Sequence, residues 1–398
     1  MVYLGGAYPQ SVNIKLLKKS GLSVVLFDMN PNAYSQIFCD EFYNIGVENW
    51  PDILRILESG ADRYEIVSVY GIADYAFESV AKINERFRIP GISVTGAKYF
   101  TNKIITKEKL QSAGLSVPKL FWSGRQIDEG SLESLAKKIG GHPVVVKNSI
   151  QNNSKGVTII ETPNFTNLKI AIKSALDYSG EALIEEFIPG ELGNVDGLVL
   201  EGDYYPVSTT TRKQCKNIPT LTQAMIQPSE WPHLNAKLHD FATSAAGALN
   251  YVNGPITLDY IVSDNEKIYC LEVSPHFHSI QSDLLRGNGE PLTAYVKARC
   301  GDTRMIKNYV LREGFKPANC FLLQKFISGY GKVKRVIGEA FLRNHANVLD
   351  SYFYIKKGNI LPKNKSLSLL ALVWVSFETL EDKNTLLEDV LINLSVEF

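Results

Sequence analysis

The first hundred or so residues alternate short β-branched runs with helix-length segments. That alternation restricts this part of the chain to a parallel sheet covered by helices. "VYLGG" reads as a strand, and a helix runs from about Pro9 to Ser20, ending near Gly21. "SVVLFD" (Ser23 to Asp28) and "EFYNIG" are further strands. "WPDILRILESG" places a proline in its first turn and a glycine at its end, which are start and stop signals for a helix. "YEIVSVYG" is a strand, followed by a helix through "ADYAFESVAKINERF". The glycines of "LGGAYPQ" do not form a GxGxxG fingerprint, so a dinucleotide cofactor is not expected.

Farther along, a helix from Asn102 to Ala113 stops at Gly114, and "HPVVVK" forms a strand that runs into a polar loop. "EALIEEFIPGE" is a strand entering a turn, and Glu230 to Leu249 is helical by spacing. From about Asn308 the pattern changes to short strands with glycine turns, and a last helix, roughly Leu380 to Val390, precedes a terminal strand. The longest apolar run, "LSLLALVWVSF" (Leu367 to Phe377), is too short for a bilayer, which takes about 20 residues, and reads as a buried strand.

Forty-two basic residues balance forty-two acidic ones, and no run of like charge stands out. Nothing therefore steers the chain toward nucleic acid or an anionic membrane. The five cysteines are scattered without a CxxC pair, which predicts reduced thiols and a cytoplasmic location rather than disulfides or zinc. The N-terminus opens directly on a strand, so no signal peptide is expected.

"ITLDYIVSDNEKIYCLEVSPH" (Ile256 to His276) is a hairpin with a carboxylate in each arm. With its turn centred between Asn265 and Glu266, Asp259 opposes Glu272, Thr257 opposes Ser274 and Ile261 opposes Cys270. The alternate residues Leu258, Tyr260, Tyr269, Leu271 and Val273 then face the core. Like charges opposed across a sheet are destabilising unless solvent or a cation offsets them. Two hard oxygen ligands suit magnesium, which commonly shares its shell with nucleotide phosphates.

Lys147 ends a buried strand and precedes a polar loop that contains Ser154 and closes at Gly156. From there a lysine reaches a phosphate, and loop N–H groups can close over one. Lys103, in "TNKIITKEKLQSAG", starts a helix. "LIEEFIPGE" supplies acids on both sides of a Pro-Gly turn, where Glu185, the backbone near Phe187, and Glu191 suit the edge of an adenine and a ribose.

In this order the pieces resemble the ATP-grasp superfamily, most of all its carboxylate–amine ligases, amino-acid ligases among them, and its biotin-carboxylase-like branch. The intervals from Lys147 to Gly156 and from Asp259 to Glu272 match the family's phosphate loop and metal-binding acids. The resemblance implies a mixed α/β and α+β architecture. It comprises a Rossmann-like pre-ATP-grasp domain (1–100), an ATP-grasp nucleotide-binding domain (101–305, with a small lid subdomain at about 116–185) and a C-terminal β-rich domain (306–398). It assigns Lys103 and Lys147, with Ser154 and Gly156, to the phosphates of ATP. Glu185, Glu186, Phe187 and Ile188 fall along the adenine edge, Glu191 at the ribose, and Val145 and Leu271 on either side of the base. Asp259, Glu272 and Ser274 hold Mg2+. Where the family commonly reads Glu-x-Asn-x-Arg, this chain reads Glu272-Val273-Ser274-Pro275-His276. His276 thus replaces a catalytic arginine; the arginine's role is expected of Arg286, which follows the hairpin closely in a glycine-rich loop, ahead of Arg212, and protonated His276 and His278 are expected to donate to phosphate.

The activity implied is ATP-dependent ligation of a small carboxylic acid, such as an amino acid, to an amine through an acyl phosphate. A carboxylase or kinase on the same scaffold, and a nucleotide-binding protein with weakened catalysis, remain alternatives. The partners implied are small molecules, with a homodimer as the general expectation for symmetric oligomers.

Overall fold

The computed structural model describes residues 1–60, 62–150, 156–216, 218–278, 290–311, 319–363 and 367–398. Strands β1 (Val2–Leu4), β2 (Val25–Phe27), β3 (Glu41–Tyr43) and β4 (Val69–Gly71) form a parallel sheet in the order β3-β2-β1-β4. Helices α1 (Gln10–Lys19), α2 (Trp50–Ser59) and α3 (Phe77–Phe87) accompany it. Both faces of β1 are buried, as a covered parallel sheet requires. Val2 and Leu4 pack with Ile53, Leu57 and Phe77, while Tyr3 packs with Ile14 and Leu17.

Helix α4 (Val94–Thr101) leads to α5 (Lys103–Ser112), whose start is fixed by Asn102. The Asn102 side chain accepts from the N–H groups of Ile104 and Ile105, satisfying donors a helix start leaves free. A second, four-stranded sheet follows, with β5 (Leu120–Gly124), β6 (Val144–Asn148), β7 (Thr158–Ile160) and β8 (Ala182–Glu186) in the order β5-β8-β6-β7. Val144, Val146 and Ile184 on one of its faces pack on α6 (Glu129–Ile139) and α7 (Phe165–Ser179).

The largest element is an eight-stranded antiparallel sheet. It contains β9 (Gly190–Leu200), β10 (Asp203–Cys215), β11 (Ile218–Gln227), β12 (Asn253–Ser263) and β13 (Ile268–Ser274), with α8 (Asn235–Ala248) packed on one face. After α9 (Pro291–Arg299) and α10 (Arg304–Leu311), β14 (Cys320–Ile327) pairs with β11 and carries the same sheet onward. The small strands β15 (Gly331–Lys332) and β16 (Arg335–Ile337), helix α11 (Glu339–Asn344), and strands β17 (Val348–Phe353) and β18 (Ile360–Leu361) come next. Then follow β19 (Ser368–Ser376), α12 (Leu380–Asn393) and β20 (Ser395–Glu397). The sheet order is β13-β12-β9-β10-β11-β14-β19-β17. The apolar run expected as a buried strand is β19, with Leu370, Leu372 and Trp374 all buried. No described helix is long and apolar enough to cross a membrane.

The hairpin β12–β13 departs from the expected register past the two acids. Thr257 opposes Ser274 and Asp259 opposes Glu272, as anticipated, but a bulge then pairs Tyr260 with Cys270 and Ile261 with Tyr269. Leu271 is the extra residue. The Cys270 N–H donates to the Ser116 carbonyl at 2.9 Å, on the segment after α5. The shift turns Cys270 into the core with Tyr260 and leaves Tyr269 and Leu271 half-buried, contrary to the alternation read from sequence. Bulges of this kind commonly re-aim side chains beside active sites.

Candidate active site

Directly opposed residues on neighbouring strands share a face. Through the pairings of β9, β10, β12 and β13, one face of the large sheet therefore carries Glu272, Ser274, Asp259, Thr257, Asn194, Asp196, Ser208, Thr210 and Arg212. Each charge on this floor has a partner. The Arg212 guanidinium lies 2.5 Å from one Asp259 oxygen, and its Nε donates to the Asn194 carbonyl oxygen at 2.7 Å. The Asn194 amide donates to the other Asp259 oxygen. Lys103 sits 3.3 Å from Glu272. These contacts offset the repulsion expected between the paired acids.

Asp196 is fully buried and accepts from the Thr257 hydroxyl and from the His278 backbone N–H at 3.3 Å. Burial pushes its carboxyl up to about 7 against those hydrogen bonds.

The second sheet supplies the opposite wall. Val145 opposes Glu185 across β6 and β8, and Lys147 is the next residue on the same face. Glu185 is 1% exposed, contacts Lys147, and lies 2.9 Å from Lys107. Burial alone would raise the Glu185 carboxyl, but Lys107 and then Lys147 hold it below the ordinary range. Burial lowers the Lys147 ammonium. Glu185 opposes that shift, and Lys107 and Lys103 add to it. The two walls are tied through the backbone, because the Lys103 N–H at the head of α5 donates to the Ser149 carbonyl just beyond β6. Lys103, Lys107 and Lys147 thus converge beside the acids of the floor.

The remaining sequence-derived candidates fall as follows. Gly156 adopts φ +64, and a Cβ there would stand 2.6 Å from the Tyr178 ring and 3.3 Å from the Ala175 backbone, so this position against α7 suits glycine. Glu186 pairs through backbone and side chain with the Lys119 backbone, and the Phe187 N–H donates to the Pro143 carbonyl at 3.1 Å. Ile188 is buried, whereas Glu191 is half-exposed and 3.6 Å from Lys213. Ser274 is buried beside Glu272. His276 packs on Phe77 with ring centroids 5.6 Å apart, and burial lowers its pKa, so the structure favours its neutral form. Ser154 and Arg286 lie outside the described residues.

Lys107, Asn194 and Asp196 escaped the sequence reading, and Arg212 ranked second there. Lys107 stands one turn after Lys103, on the same helix face. Asn194 and Asp196 alternate within the "GNVD" of β9.

Among the described residues no cluster of three or more His, Cys, Asp or Glu side chains is arranged to hold a metal. A pair of opposed carboxylates still fits a magnesium ion that draws the rest of its shell from phosphates and water. The Asp259–Glu272 pair, with lysines alongside, has that character.

The comparisons agree with this architecture. Residues 100–279 match the family described as ATP-grasp domain. A D-alanine–D-alanine ligase of Geobacter sulfurreducens is 27% identical over 188 residues, 46% of this chain and 57% of that protein, so the match spans little more than half of the relative. The crystal structure of an L-amino acid ligase from Bacillus licheniformis superposes with a TM-score of 0.80 at 15% identity, covering 100% of this chain and 98% of the other. The biotin carboxylase domain of a Hydrogenobacter thermophilus 2-oxoglutarate carboxylase, solved with MgADP and bicarbonate, gives 0.74 at 16% identity over 100% and 90% of the two chains. Residues 100–279 thus resemble the ATP-grasp domain family in sequence, and the chain has the ATP-grasp fold.

Proposed function

We propose that the protein is an ATP-dependent ligase that joins a small carboxylic acid, such as an amino acid, to an amine, releasing ADP and phosphate. One observation carries the reading: two opposed acids, Asp259 and Glu272, share one sheet face with Arg212, and Lys103 reaches Glu272 while Lys107 and Lys147 meet at Glu185. The full-length likeness to an L-amino acid ligase supports the same reaction class.

A carboxylate resists attack by an amine because it is resonance-stabilised and negatively charged. Its oxygen attacks the γ-phosphorus of ATP, the bond to the β-phosphate oxygen breaks, and ADP leaves. The resulting acyl phosphate is attacked by the amine nitrogen, phosphate departs, and the nitrogen loses a proton. This chain's residues supply position and charge. Lys147 and Lys103 hold phosphate oxygens, and Glu185 fixes the Lys147 ammonium from below. Arg212, held by Asn194, aims a guanidinium at the negative charge that grows on the transferring group. In this reading Arg212 takes the part first given to Arg286. Asp259 and Glu272, with Ser274 beside them, hold Mg2+, which when bound screens the phosphate charge.

The test is phosphate release from ATP and Mg2+ against a matrix of amino-acid pairs. Turnover should require both an acid and an amine. Phosphate release from bicarbonate and biotin, with no amine, would instead assign a carboxylase, and the ligase reading would fail.

A further inference from the structure

Lys107 is 3% exposed, and its side chain is more buried than that of either Lys103 or Lys147. Lysine is rarely buried to that degree unless it is paired. Its partner is Glu185, which is also claimed by Lys147, so one carboxylate serves two buried ammonium groups. The Lys107 Nζ stands 2.9 Å from the Glu185 Oε2, within hydrogen-bond distance, while Lys147 meets the other oxygen of the same carboxylate.

The neighbouring charges cancel in pairs: Lys103 with Glu272, and Arg212 with Asp259. The trio of Lys107, Glu185 and Lys147 does not cancel, since it carries one positive charge too many. A buried excess charge is costly unless an anion meets it. Without Lys107, Glu185 and Lys147 would be a neutral pair with little to offer a phosphate.

We propose that Lys107 is a positioning residue of the nucleotide site: by neutralising Glu185 from the buried side, it leaves the charge of Lys147 free for a phosphate of the bound nucleotide. The inference rests on the nucleotide-binding reading above. It concerns a residue that stands behind the phosphate cradle and acts on the ligand only through Glu185.

Calorimetric titration of ADP and of adenosine into the wild type, Lys107→Met, Glu185→Gln and the double variant tests it. Lys107→Met should weaken ADP by about tenfold or more and change adenosine by less than about twofold, because adenosine carries no phosphate charge. In the Glu185→Gln background, where no carboxylate competes for Lys147, the same substitution should cost less than about threefold. Equal ADP affinity in the wild type and Lys107→Met would overturn the proposal. So would equal losses for ADP and adenosine, the mark of a merely structural role, or an undiminished loss in the Glu185→Gln background. Should Lys107→Met fail to fold, the double variant, which removes both buried charges together, is compared with Glu185→Gln and decides by the same threefold limit. A wild type that binds neither ADP nor ATP overturns the nucleotide reading itself.

Discussion

One face of the eight-stranded sheet has two halves of opposite character. On β13, β12, β9 and β10 it presents Glu272, Asp259, Asn194, Asp196, Thr210 and Arg212. On β11, β14, β19 and β17 the same face presents Met225, Leu322, Trp374, Leu372 and Tyr352, closed over by Tyr8 from the loop after β1. The border is sharp: along one row of the ladder Arg212 opposes Met225, which opposes Leu322, which opposes Trp374. The backbone lattice is continuous, so the side chains alone separate the half proposed to do chemistry from the half that holds the sheet. In the apolar half, burial and ring contacts carry the energy. Tyr8 stacks on Tyr352 at 4.1 Å, and its hydroxyl donates to Asp350 at 2.5 Å. In the polar half each charge is offset by a partner, which lends fixed geometry but little stability.

If that division holds, substitutions in the two halves should separate stability from binding. The largest effect is expected for Trp374→Ala, which empties a fully buried site and should cost about 3–5 kcal/mol in urea unfolding. ADP affinity, measured where the variant is still folded, should not change. Asp259→Asn should reverse the pattern. Turnover should fall about a hundredfold or more, as for other groups that act on transition-state charge, while the unfolding midpoint moves less than in Trp374→Ala because the amide oxygen still accepts from one of the two donors, Asn194 or Arg212. A large loss of stability in Asp259→Asn would erase the contrast.

Next in size, Lys147→Ala should weaken ATP by about 1.5–3 kcal/mol, the cost of a charge-assisted contact. Unchanged affinity would remove that lysine from the site. A separate effect lies in pH. Asp196 has a carboxyl raised from 3.8 to about 7, so the folded state binds a proton that the unfolded chain releases. Its contribution to stability is full below the unfolded value and is lost as pH rises through the window from about 4 to about 7. Asp196→Asn should remove that slope, a change of roughly 4 kcal/mol in urea unfolding between the two ends of the window. Parallel pH curves for the two proteins would mean that Asp196 is ionised throughout.

What the sequence discloses and what it hides follow the range of the contacts. The opposed acids of the hairpin are legible because a tight turn fixes its own register, and Asp259 does face Glu272. The bulge at Leu271 is not legible, because the Cys270 N–H turns to Ser116, a partner more than a hundred residues away in the chain. Arg212 ranked behind Arg286 because closeness to the hairpin in sequence favoured Arg286. The pairing of β9 with both β10 and β12 brings Arg212 to Asp259 instead. Lys107 looks like any surface lysine of an amphipathic helix until the second sheet lowers Glu185 onto it. Periodicity names the strands and which side chains share a face. It does not say which of the two faces will be covered or by what.

The central claim, that a carboxylate is activated by phosphoryl transfer and then captured by an amine, can be read from one atom. An amino-acid mixture labelled with 18O in its carboxylates is supplied with ATP and Mg2+, and the released phosphate is analysed by mass. Transfer through an acyl phosphate should leave one labelled oxygen in the phosphate, with ADP as the other product. Phosphate free of label, or AMP and pyrophosphate in place of ADP, would contradict the account.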